Sequence, residues 1–438
     1  MSAVAHRKGW CPGALRPMES GDGLIVRLRI MGGALTADLA RALAQCAENY
    51  GNGLIDLSAR ANLQLRGVTQ ATLPALQAQL DELGLLDADP AVEAVRNILG
   101  SPLAGIDPSA VLDIGPSIRA LDQRLRNDRV LHRLSGKFLF LIDDGGCLPL
   151  APDMADIAFL AQPTKEGPFF AIHLGGEPAG CCAIEDLSKT AARLAYAFLQ
   201  LRGEDETMGR MADLIRRIGV EEVARAGELA DKQAFADDRS HHAPSVLGFH
   251  ALGRHMALGL GIRFGRLDAK ALHMLADEAE AIGGELRLSA WRAMFIVAEH
   301  IDQDLAARMQ EAGFILDEEA PIRAVAACTG QPSCLHGATQ SQADAVRLAP
   351  LARGLAATGI ALHVSACAKG CAHPRPAPVT LIGRDTTYDL LLDEPGTGQP
   401  LLRGLDLPTI ELLLPRLAST SPAERAVLAR QFAREAQR

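Results

Sequence analysis

Four cysteines stand in two close pairs. Cys328 and Cys334 lie in "ACTGQPSCLHG" with five residues between them, and Cys367 and Cys371 lie in "SACAKGCAHP" with three. Such a set holds zinc, closes disulfides or carries an electron-transfer cluster. Zinc knuckles usually keep about two to four residues between paired cysteines, which suits the second pair better than the first. Disulfides are rare where thiols stay reduced. An iron–sulfur cluster takes four thiolates and needs backbone close to its sulfides. Small residues here, among them Thr329, Gly330, Ser333, Ala366, Ala368 and Gly370, permit that approach. On the residues alone a cubane 4Fe–4S cluster outweighs zinc. His336, His363 and His373 lie near the cysteines and are equally well structural. Cys46, Cys147, Cys181 and Cys182 read as buried small side chains, and Cys11, in a "CPG" turn, has no assigned role.

A second chemistry-bearing stretch is "LSARANLQLRGV", residues 57–68. Its strict alternation predicts one continuous strand. Leucines and alanines fall on one face, and Ser58, Arg60, Asn62, Gln64 and Arg66 on the other. That polar face is either an exposed sheet surface or an anion-binding wall, since two guanidiniums stand among amides with no carboxylate between them.

These residues sit in a chain that repeats itself. Residues 23–68 and 258–300 both read as strand, turn, amphipathic helix, glycine stop and strand. Thr36 and Asp268 are the expected N-caps, and Gly51 and Gly283 the expected stops. A long repeat occurring twice points to a duplicated domain. Setting Arg292 on Arg60 leaves one arginine on the second copy's polar face. Setting the serine of "LSGKFLFLI" on that of "VSACAKGC" puts Lys137 where Cys367 stands, so only the second half keeps the cysteines. The expected domains are 15–85, 90–235, 246–316 and 320–438. The linker is expected in "AFADDRSHHAPSV", residues 234–246, with His241 and His242 solvated.

The 438 residues, 48% hydrophobic and 22% charged, suit a soluble protein of several domains. No run approaches the ~18 apolar residues of a membrane span. The N-terminus lacks a secretory signal's apolar core, so a cytoplasmic protein is expected. The net charge of −9 argues against nucleic acid or an anionic membrane as partner, and an anionic ligand must meet a local basic patch.

The cysteine spacings, the duplicated half and "R-x-N-x-Q" together resemble the sulfite and nitrite reductase superfamily. The resemblance implies an α+β fold with pseudo-two-fold symmetry: ferredoxin-like α/β half-domains plus two α/β domains, the second carrying the cluster. It makes Cys328, Cys334, Cys367 and Cys371 the cluster ligands and Arg60 an anion-binding arginine. It also sets Lys137 on the first lysine of a "PRKFK" motif. The second lysine of that motif is Leu139 here, Ser135 and Gly136 replace the proline and arginine, and Lys369 replaces an asparagine. "CPGALRPMESGDGLIVRLR", "RNILGSPLAGIDP" and "VSACAKGCAHP" resemble the superfamily's precorrin-3B synthase branch along nearly the whole chain. That resemblance implies a monooxygenase of aerobic cobalamin biosynthesis acting on precorrin-3A with O2, a 4Fe–4S cluster, a non-haem iron and NADH. No G-x-G-x-x-G precedes a helix, so a separate NADH-dependent electron donor is expected. A polycarboxylate tetrapyrrole needs cations from several segments, and Arg60, Arg66, Arg96, Lys137 and Arg292 are the candidates. The competing classes are a siroheme-dependent sulfite or nitrite reductase and a cluster-carrying electron-transfer partner without chemistry of its own.

Overall fold

The structure is a computed structural model that describes residues 11–205, 207–229, 245–356 and 358–436. Residues 234–244 of the expected linker, with His241 and His242, lie outside the described residues. The chain forms two compact units. One takes in residues up to 18 together with 24–316, and the other 19–23 together with 317 onward.

The first unit holds three five-stranded sheets. The first sheet runs in the order Met18–Ser20, Gly23–Leu28, Leu63–Val68, Leu54–Leu57, Arg266–Asp268, and the second in the order Gly248–Leu252, His255–Gly261, Ala293–Ala298, Glu285–Leu288, Ala34–Leu35. Each sheet thus borrows its last strand from the other copy of the repeat. Arg266 pairs with Asp56 and Leu267 with Ile55, while Leu35 pairs with Leu286. The exchange is pinned by charge, with Arg266 Nε and Nη2 donating to the two oxygens of Asp56 at 2.7 and 2.9 Å.

The helices Ala37–Tyr50 and Ala269–Ala281 pack against each other over these sheets. Ala40, Leu43, Ala44 and Ala47 recur at helical spacing and are buried, as are Leu272, Leu275, Ala276 and Ala279. Thr36 accepts from Leu39 N, and Asp268 accepts from Ala271 N, so both expected N-caps form. Gly51 caps the first helix, and Gly283, at φ 64°, lies one residue past the second helix's cap, Ile282.

The single strand expected over residues 57–68 is two strands and a turn. Leu54–Leu57 and Leu63–Val68 pair antiparallel, and residues 58–62 reverse the chain between them. Ser58 Oγ accepts from Arg60 N and Asn62 N, and Ala61 adopts φ 52°. A local serine turn therefore overrides the alternation. The second copy turns in the same way: Ser58 N bonds Asn62 O, and Ser289 N bonds Ala293 O. This equivalence sets Trp291 on Arg60, and Arg292, at φ 55°, on Ala61. The expected match of Arg292 with Arg60 is one residue out.

The third sheet, Glu177–Cys182, Phe169–Leu174, Ile157–Gln162, Phe140–Asp143, Ile98–Gly100, has its last three strands parallel. Phe140–Asp143 is buried throughout, as a strand covered on both faces must be. The helix Leu187–Arg202 joins this core, and its terminal Arg202, in a charged stretch, is buried beside the Phe198 ring. Of the four cysteines expected inside, Cys46 is buried, Cys181 and Cys182 are half-buried, and Cys147 is exposed.

The second unit is built on the sheet Val325–Ala327, Leu362–Ser365, Ala377–Arg384, Thr387–Glu394, Leu402–Leu405, whose first three strands are parallel. This is the pattern of the third sheet, and the loops share their anchoring bonds. Ser101 N bonds Ile142 O as Cys328 N bonds Val364 O, both at 3.3 Å, and Val111 N bonds Asp144 O as Ala338 N bonds Ala366 O, both at 2.8 Å. Ser101 thus stands where Cys328 does, and Asp107 falls at the position of Cys334. Lys137 precedes the strand Phe140–Asp143, whereas Cys367 follows Leu362–Ser365, so the expected match of Lys137 with Cys367 fails.

Candidate functional site

The cysteine loops leave the C-terminal ends of the parallel strands Val325–Ala327 and Leu362–Ser365, where open α/β sheets offer binding crevices. Cys328 Sγ accepts from Ala366 N at 3.1 Å and lies 3.4 Å from Ser341 Oγ. Burial raises the pKa of Cys367 and Cys371, and in each case the charges of the neighbouring thiols raise it further. Those neighbours include Cys328 and Cys334 for both, so the second cysteine pair lies within electrostatic reach of the first. The loops are tight. A Cβ on Gly21 would lie 2.9 Å from Cys334 N, and one on Gly383 would lie 2.8 Å from Ala366 O. Closely spaced thiols, an amide aimed at sulfur and crowding glycines fit a cationic inorganic core that would hold the thiols as thiolates.

His363, on the strand leading to Cys367, is fully buried, and among the described residues neither ring nitrogen has a hydrogen-bond partner. Burial, and then the neighbouring His373, pushes its pKa down to about 4. The Cε1 of His363 lies 3.7 Å from the Cβ position of Gly370, within the last cysteine loop. His373 is half-buried and His336 exposed. In the third sheet the equivalent place holds oxygen, with Ser101 Oγ accepting from Asp144 N at 2.9 Å where Cys328 Sγ accepts from Ala366 N. Among the described residues no three His, Cys, Asp or Glu side chains are grouped to hold a mononuclear ion, so no residue is assigned to the non-haem iron.

The first unit contains a cavity of about 1170 Å3, large enough for a macrocycle. Arg16, Arg29, Lys137 and Arg210 line it, with Cys11 and Glu93. Arg29 is buried, donates through Nε to Asn97 Oδ1 and lies 3.6 Å from Glu93. Burial pushes its pKa down to about 10. Arg60, at the tip of its serine turn, donates through Nη2 to Lys137 O at 2.8 Å. Its pKa is lowered by burial and then by the charges of Arg210 and Arg27, against Cys11 and Asp156. Among the described residues Arg27 Nε and Arg60 Nη1 are buried without hydrogen-bond partners, and Arg29 Nη1 has only the ion pair with Glu93. Cations crowded together with unanswered donors are what an anionic ligand would satisfy.

The structure therefore brings Arg60 and Lys137 together and sends the other candidates elsewhere. Arg66 is buried against Asp56, at 3.1 Å, in the cluster that includes Arg266. Arg292 lies beside Gly265, and its pKa is lowered by burial against the opposing charge of Asp56. Arg96 donates at 2.6 Å to both oxygens of Asp87 and to Asp122. Arg27, Arg29 and Arg210 carry no assignment from the sequence. The alternation of "IVRLRI" does put Arg27 and Arg29 on one face, whereas nothing near Arg210 marks it.

Residues 16–83 match the model of the nitrite/sulfite reductase ferredoxin-like half domain. A precorrin-3B synthase from a Sinorhizobium species is 32% identical over 415 residues, covering 91% of this chain and 86% of that relative. A ferredoxin–nitrite reductase from Synechococcus elongatus is 27% identical over 425 residues, covering 88% of this chain and 80% of the relative. Among solved structures, the NirA protein of Mycobacterium tuberculosis superposes with a TM-score of 0.74 at 22% identity, covering 93% of this chain and 83% of that one. The duplicated ferredoxin-like half, the shared architecture and the extended identity lead to one conclusion: the chain belongs to the precorrin-3B synthase family of the nitrite and sulfite reductase superfamily.

Proposed function

We propose that the protein is a precorrin-3B synthase, a monooxygenase that converts precorrin-3A to precorrin-3B in aerobic cobalamin biosynthesis. One atom of O2 enters the meso carbon between rings A and D, and a ring-A acetate closes a lactone. The other oxygen atom leaves as water, with two electrons supplied by an NADH-dependent donor. The carrying observation is the identity to a precorrin-3B synthase along nine-tenths of the chain. The basic cavity supports it, since a macrocycle edged with acetates and propionates requires cations from several segments. A carrier without chemistry of its own has no use for such a cavity.

In this reading Cys328, Cys334, Cys367 and Cys371 hold a 4Fe–4S cluster. Bound there, the cluster supplies the one-electron steps that O2 chemistry requires. Arg60 and Lys137 neutralise substrate carboxylates, and Arg29, already balanced by Glu93, adds a weaker attraction. Arg66, Arg96 and Arg292 hold the scaffold that positions them. The buried walls limit water around the bound edge, which strengthens each of these contacts.

The test is turnover of precorrin-3A under 18O2 with a reductant. One labelled atom on the meso carbon, with an unlabelled carboxylate oxygen in the lactone, is the expected result. Steady reduction of nitrite or sulfite with bound siroheme, and no label in the tetrapyrrole, would assign the protein to the reductases instead.

A further inference from the structure

We propose that Arg210 fixes the orientation of the tetrapyrrole in the basic cavity, presenting the outer edge of its guanidinium to a carboxylate that it shares with Lys137. The inference rests on the reading of that cavity as the substrate site.

Arg210 stands immediately before the helix Met211–Ile218, with extended backbone. Its Nε donates to both oxygens of Asp156, at 2.9 and 3.0 Å. Asp156 is almost fully buried and accepts two further bonds, from Leu139 N at 2.8 Å and Met211 N at 2.7 Å. The carboxylate is thus held by backbone from two segments and in turn holds the inner edge of the guanidinium. Among the described residues the side-chain hydrogen bonds of Arg210 run from Nε alone, and the side chain, about one-third exposed, lines the cavity.

The same carboxylate ties Arg210 to the backbone just after Lys137. Leu139 follows Lys137 by two residues, and Lys137 O receives Arg60 Nη2. Arg60, Lys137 and Arg210 therefore come from three separate segments joined in one hydrogen-bonded network. Their freedom differs. Lys137 ends in an ammonium on a flexible stem, which contributes attraction and little direction. Arg210 is a planar fork held at Nε, which leaves Nη1 and Nη2 to grip a carboxylate in both position and plane. Arg29, by contrast, already faces Glu93 at 3.6 Å.

Uroporphyrin III, a fluorescent porphyrin with eight carboxylates, separates attraction from orientation. Fluorescence titration reads affinity, and the circular dichroism induced in its Soret band reads fixed placement. Wild-type protein should bind it with an induced signal, and the octamethyl ester should bind poorly. Lys137→Ala should lose about tenfold in affinity while keeping the induced signal at saturation. Arg210→Gln should lose about ten- to a hundredfold and also lose the induced signal. Arg210→Lys should regain part of the affinity without the signal, and the exposed Arg225→Gln, outside the cavity, should change neither. Thermal melting checks that the variants remain folded, with Arg210→Lys as the milder replacement. Retention of affinity and induced signal by both Arg210 variants overturns the proposal and leaves the cavity assignment standing. Absence of binding by the wild-type protein overturns both.

Discussion

Arg96→Ala distinguishes a scaffold arginine from a ligand-binding one. The guanidinium is buried, and its partners Asp87 and Asp122 are buried and nearly buried. Breaking a buried pair by removing one partner costs about 3–5 kcal/mol, because the other charge stays behind without compensation. Here Arg126 also reaches Asp87 at 3.0 Å and Asp122 at 2.8 Å, and being about two-fifths exposed it supplies partial relief. The expected loss is therefore about 2–4 kcal/mol, or a fall of about 5–10 °C in the melting of the first unit. Arg96→Lys should recover little, since an ammonium cannot bridge both carboxylates in the same plane. Circular dichroism melting and uroporphyrin titration of the same samples give the answer. A wild-type melting temperature combined with a tenfold loss of porphyrin affinity would refute the reasoning, because Arg96 would then be spending its charge on the ligand.

Serine at any one of Cys328, Cys334, Cys367 or Cys371 should abolish bound iron and acid-labile sulfide, whereas serine at Cys46 or Cys182 should leave both unchanged; equal behaviour of the two groups would remove the cluster assignment. Arg60→Ala and Lys137→Ala should each weaken precorrin-3A binding by about 1.5–3 kcal/mol, measured by titration against an Arg225→Ala surface control. Acidification should destabilise the cluster-free second unit. His363 is neutral when folded, with its pKa at about 4, but protonates near 6.5 when unfolded, so the unfolded chain binds the extra proton in that window. The His363 contribution is complete above about pH 6.5 and falls by ~1.4 kcal/mol per pH unit down to about pH 4. His363→Leu should flatten that slope in urea titrations, and an unchanged slope would contradict it.

The legible parts of the fold were those decided locally. Thr36 and Asp268 announce their helices because a cap bonds within three residues, and the apolar spacing of Ala40, Leu43, Ala44 and Ala47 fixes the buried face. The nearness of the four cysteines was legible because they come from two short loops that follow adjacent parallel strands. What failed depended on partners elsewhere. Arg66 and Arg96 read as free cations, since the chain does not reveal that Asp56, Asp87 and Asp122 close on them. The strand at residues 57–68 failed for the opposite reason: a local turn, set by Ser58 and the left-handed Ala61, is disguised by residues that also alternate. Arg210 was invisible because its role depends on Asp156, fifty-four positions earlier.

The exchanged strands have a consequence for synthesis. Asp56 must wait for Arg266, 210 residues later, before the first sheet acquires its last strand. At a ribosomal pace of about 5–20 residues per second, that interval is roughly 10–40 s. Throughout it, Leu54–Leu57 presents an unpaired edge, the kind of template on which nascent chains join one another. Ala34–Leu35 waits similarly for Glu285–Leu288. The N-terminal repeat is therefore a client for chaperones until translation reaches the second, and a gene cut between the repeats should yield two fragments that stay soluble only when made together.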